Sequence, residues 1–135
     1  MQPILLQIIL PPLIAVLLFC LSVTPHNFWF FAYIALVPLF IQIISAKSSA
    51  VSRYSALTFG LLVYGWNLRW FANIFGTIAS VLWLILAMFI MFFAVILRAL
   101  SNRFGNKIAL ILSPFLWVGI EFFRSELWAL KFGWN

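Results

Sequence analysis

Between Thr77 and Leu97 the chain runs for 21 residues with Thr77 and Ser80 as its only polar members. As a helix such a run rises about 30 Å, the thickness of a bilayer's hydrocarbon core. Backbone amides in hydrocarbon must bond within their own segment, so the run confines the chain to an α-helical membrane fold. The same apolar length recurs along the sequence. Ile4–Val23 is a second run, with Pro11 and Pro12 predicting a kink or break in its middle. Phe28–Ile44 is shorter and carries Pro38, Val51–Trp70 contains Gly60 and Gly65, and Ile108–Phe123 contains Pro114.

The expected architecture is therefore an all-α integral membrane bundle of about five helices, spanning roughly 4–23, 28–44, 51–70, 77–97 and 108–123, in one domain covering 1–135. Only 7% of the residues are charged, against about 25% in soluble domains, and 135 residues hold no water-soluble domain beside five crossings. A secretory signal peptide is the rival reading of the first run. Against it, no Lys or Arg precedes the run, and Phe19 stands where a lipoprotein processing site needs a small residue before Cys20.

The formal charge of +6 comes from eight Lys and Arg placed singly at segment ends, which reports topology and argues against a nucleic-acid partner. Five bases, Lys47, Arg53, Arg98, Arg103 and Lys107, fall after the second and fourth spans. Three, Arg69, Arg124 and Lys131, fall on the other side. The bias predicts a cytoplasmic N-terminus. A single Cys20 and a single His26 exclude an internal disulfide and most metal sites, and no cofactor is implied. Cys20 reads as a small buried apolar residue and His26 as an interfacial loop residue.

Two polar-aromatic places stand out from this apolar background. The first is Leu112–Asn135, which holds the only acids of the chain, Glu121 and Glu126. On an α-helix Trp117, Glu121, Arg124 and Trp128 share one face, so two opposite charges and two indoles lie together, with Trp134 further on. An ionisable residue in a membrane helix marks a functional site by default, whereas a neutralised pair among interfacial tryptophans is the plainer reading. The second place is Tyr64–Trp70. Gly60, Tyr64, Asn67 and Phe71 follow a helical period, as do Trp66, Trp70 and Asn73 on a neighbouring stripe, and Arg69 sits between them. This reads either as an aromatic belt or as a polar mouth where a lipid headgroup meets Arg69. Both places fall on the same side of the bundle.

Catalytic parts are scarce. No phosphate loop, HExxH or carboxylate pair is present, and Cys20 lies in an apolar run instead of an activating turn. The segments FWFFAYIALVPLF at Phe28–Phe40, GWNLRWFANIFG at Gly65–Gly76 and SPFLWVGIEFFRSELWALKFGWN at Ser113–Asn135 resemble the N-terminal membrane half of apolipoprotein N-acyltransferase. The most specific element is a proline, a Trp, Glu-x-x-Arg and an aromatic-Gly/Pro-Trp ending, matched by Pro114, Trp117, Glu121, Arg124 and Phe132-Gly133-Trp134. The family more often has Pro at the position of Gly133, and the spacing after Arg124 is longer here.

The resemblance implies a bacterial inner-membrane enzyme that moves an acyl chain from a membrane phospholipid to the N-terminal amine of an apolipoprotein through a thioester. Its Glu-Lys-Cys triad belongs to a nitrilase-like domain that follows the helices, and this chain is expected to stop before that domain. No catalytic residue carries over. The expectation is a membrane module that docks lipid, supports the catalytic domain, reaches the apolipoprotein only through it and is inactive alone. Its rival is a non-enzymatic membrane scaffold, for example an anchor for a polyprenol-phosphate sugar transferase.

Overall fold

The computed structural model describes residues 4–23, 28 and 30–127, and all its regular structure is helical. Seven α-helices follow in order: α1 (Ile4–Ser22), α2 (Phe31–Ala35), α3 (Val37–Ser45), α4 (Ser49–Asn67), α5 (Arg69–Phe75), α6 (Ala79–Phe104) and α7 (Asn106–Phe122). A 3-10 turn at Gly76–Ile78 joins α5 to α6, and a π-helical turn at Phe123–Leu127 extends α7. The all-α architecture is as expected from the sequence.

Local departures from the expected spans have local causes. Pro11 and Pro12 do not break α1, which continues through both. The second span is divided, because α2 ends at Ala35 and Pro38 occupies the first turn of α3, where its missing N–H costs no bond. Ser48 caps α4 by accepting from Val51 N at 3.2 Å, so α4 starts at Ser49, two residues before the expected span. Helix α5 carries the chain beyond the expected end at Trp70 to Phe75, and a positive-φ residue follows at Gly76 with φ +59°.

The helices alternate in direction around one core. Gly60 of α4 lies against Ala87 of α6 so closely that a Cβ there would sit 2.7 Å from the Ala87 Cα. This contact brings the two backbones together at the centre of the bundle, as small residues do between membrane helices. Phe93 then fills the space between α3, α6 and α7, with its ring centroid 5.5 Å from Phe40 and 5.2 Å from Trp117. At the other end of α6, Arg98 donates to the carbonyls of Ile43 at 2.9 Å and Ala46 at 2.7 Å, satisfying orphan acceptors at the end of α3.

The exterior is apolar. Ile78, Ile111 and Phe115 are 69%, 68% and 73% exposed, far more apolar surface than a soluble monomer presents. Two described stretches, Arg69–Phe104 and Asn106–Glu126, are long and apolar enough to cross a membrane, with mean hydropathies of 2.8 and 1.5.

Candidate functional site

Tyr64 and Asn67 come from the end of α4, and Trp117 and Glu121 from the end of α7. They meet around one cavity of about 470 Å³, whose wall is completed by apolar side chains including Phe19, Phe59, Val63 and Ile90. The two polar-aromatic places of the sequence are thus brought to the same hollow. Its volume falls in the range of about 300–1,000 Å³ typical of ligand pockets, and its walls are apolar with a few convergent polar groups, the usual composition of such sites.

Behind Glu121 lies the most unusual side chain of the fold. Arg124 is 1% exposed and donates from Nη2 to the Glu121 carboxylate, which is 36% exposed. A guanidinium has five N–H donors, and here Nε and Nη1 are buried with no hydrogen-bond partner among the described residues. Burying donors unbonded is costly, so their retention points to an acceptor supplied from outside the described residues. Tyr64 lies within electrostatic reach of both Glu121 and Arg124. Arg124 itself sits in the π-helical turn that extends α7 and remains paired with Glu121 three residues before it.

The other candidates separate cleanly. Asn67 faces the cavity, but Trp66 and Trp70 are 56% and 49% exposed and point away from it. Arg69 is also exposed and stacks its guanidinium over the Trp66 ring at 4.6 Å, a cation–π contact on the outer surface. The structure therefore splits the Tyr64–Trp70 stretch into an inward pair, Tyr64 and Asn67, and an outward belt, Trp66, Arg69 and Trp70. Trp117 packs edge-on against Phe93 and lines the cavity. Trp128, Trp134 and His26 lie outside the described residues. Tyr64 lines the cavity beside Asn67, as their shared helical stripe with Gly60 predicts.

None of the described residues lining the cavity is a Cys, Ser, Lys or His. Cys20 is half-buried on α1 and outside that lining. Among the described residues no three His, Cys, Asp or Glu side chains gather as metal ligands. The described lining offers an apolar wall and a few polar groups that can bind and orient a ligand.

A family model described as the apolipoprotein N-acyltransferase N-terminal domain matches residues 15–135. The chain belongs to this family. Neither a curated protein nor a solved structure gives a significant match. The match covers α2 to α7 entirely and the end of α1 from Ala15, so every described residue lining the cavity falls within the matched domain.

Proposed function

We propose that this chain is the membrane-embedded part of a phospholipid:apolipoprotein N-acyltransferase of the bacterial inner membrane, crossing the bilayer five times with its N-terminus in the cytoplasm. In this reading the cavity between α1, α4, α6 and α7 admits one acyl chain of the donor phospholipid. The helix ends around Glu121 support the nitrilase-like catalytic domain that performs the transfer to the apolipoprotein amine, and the helices alone are inactive.

The observation that carries the reading is the apolar cavity with Tyr64, Asn67 and Glu121 at its rim and the partly unbonded Arg124 behind. An acyl chain moving from bilayer to cavity exchanges one hydrocarbon environment for another, so apolar burial contributes little to its selection. Selection then rests on the polar rim. Glu121 accepts, Asn67 and Tyr64 both donate and accept, and the buried guanidinium keeps two donor groups in reserve. This set suits the ester end of a lipid chain and holds it without attacking it.

The test is photo-crosslinking in membranes containing the full-length enzyme and a phospholipid with a diazirine in its acyl chain. Label is expected on peptides around Phe59–Val63 and Ile90, and Ile90→Trp should reduce both label and lipoprotein acylation. Arg124→Ala should lower acylation in protein that still inserts. Labelling confined to the lipid-facing positions Ile111 and Phe115, with unchanged acylation in both variants, would refute the reading.

A further inference from the structure

At the end of the bundle opposite the cavity, the start of α4 and the last turns of α6 enclose a smaller hollow of about 230 Å³. Its polar lining is Ser49, Ser52, Arg53, Arg98 and Asn102. We infer that this hollow binds a phosphate group, either the headgroup phosphate of an anionic lipid or a free phosphate.

Four observations converge. First, the charged lining consists of two arginines, and the only acids of the chain, Glu121 and Glu126, sit at the opposite end of the bundle. Nothing nearby neutralises them. Second, Arg98 is fixed in place by its bonds to the Ile43 and Ala46 carbonyls, which occupy Nη1 and Nη2 and leave the buried Nε without a partner. An arginine already held rigid loses little entropy on binding a ligand. Third, Ser52 is 1% exposed, and its hydroxyl is buried without a hydrogen-bond partner although it belongs to the lining. A hydroxyl left unbonded beside two guanidinium groups is placed to donate to an anion. Fourth, the hollow lies at the N-terminus of a 19-residue helix, whose first amides and dipole favour negative charge.

Phosphate fits because it accepts hydrogen bonds at several oxygens and donates few, matching a lining rich in donors. The hollow is separate from the acyl cavity and shares no lining residue with it. Its occupancy therefore does not depend on the acyltransferase reading.

The experiment uses the purified full chain in a nonionic detergent, with native mass spectrometry and thermal melting as readouts. Probes are phosphatidylglycerol, phosphatidylcholine and inorganic phosphate. One phosphatidylglycerol per chain is expected to be retained and to raise the melting temperature. Arg53→Gln and Ser52→Ala should each weaken binding at least fivefold. Lys107→Gln, at the same end but outside the hollow, should leave it unchanged. Protection by millimolar inorganic phosphate without lipid would identify the ligand as free phosphate; protection by phosphatidylglycerol alone would identify a lipid headgroup. Equal retention of phosphatidylcholine, no effect of Arg53→Gln, or an equal loss in Lys107→Gln would overturn the proposal, since each means that diffuse charge or detergent exchange governs binding.

Discussion

Removing Glu121 should destabilise the bundle more than removing Arg124, and removing both should do less harm than removing Glu121 alone. The asymmetry follows from burial, since Arg124 is 1% exposed and Glu121 36%. In Glu121→Ala the guanidinium keeps its charge, stays buried and loses its bonded carboxylate. Breaking a buried pair from one side costs about 3–5 kcal/mol. Insertion scales give a similar figure, about 2.5–3.5 kcal/mol, for an arginine at membrane depth. Because Glu121 is itself a third exposed and the pair is partly screened, the lower end of about 3 kcal/mol is expected. That corresponds to roughly a 150-fold shift in the folding equilibrium.

Arg124→Met instead leaves a carboxylate that already reaches solvent, and should cost about 1 kcal/mol, the worth of a screened pair. The double variant Glu121→Ala/Arg124→Met removes both charges and should lie within about 1 kcal/mol of the parent. The assay is reversible unfolding of the full chain in mixed micelles, followed by far-UV circular dichroism against the mole fraction of anionic detergent. The reasoning fails if Glu121→Ala is no less stable than Arg124→Met, or if the double variant is as unstable as Glu121→Ala.

Gly60→Ala should destabilise the same bundle by about 1–3 kcal/mol, because the new Cβ meets Ala87 backbone atoms that cannot swing aside; adding Ala87→Gly should recover only part, which a melting series would show. Arg98→Gln should cost about 2–3 kcal/mol through loss of charged hydrogen bonds to the end of α3, with the loss localised by faster amide exchange at Ala46. Trp66→Ala or Arg69→Ala, by contrast, should change stability by no more than about 1 kcal/mol, since their contact is exposed; melting of either variant more than a few degrees below the parent would contradict that placement.

The helices were legible from length and composition: apolar runs of about 20 residues coincide with the described helices longer than nine residues. Boundaries were less legible where proline is ambiguous. Pro38 starts a helix, whereas Pro11 and Pro12 lie inside one, and only neighbouring packing separates these outcomes. The cavity was half legible. Helical period placed Tyr64 and Asn67 on one face and Trp66 and Trp70 on another, but which face turned inward depends on Gly60 closing onto Ala87. A glycine's partner across an interface leaves no periodic trace in the sequence, so Arg69 looked as well placed for a ligand as Asn67.

The distribution of charge connects the two hollows. Glu121 lines the larger cavity, where it offsets Arg124 and leaves a rim of paired charge and neutral dipoles. An unpaired arginine there would attract phosphate as strongly as any ester carbonyl. Under the proposed function, its neutralisation favours the ester end of an acyl chain over the headgroup. At the opposite end no acid offsets Arg53 and Arg98, and the donors of the smaller hollow remain available to an anion. The same short list of charges thus gives one end a rim suited to an ester and the other a hollow suited to phosphate. Placing an acid beside the smaller hollow by Asn102→Asp should abolish its preference for phosphatidylglycerol while leaving acyl-chain labelling at the cavity unchanged, and loss of both would contradict the separation.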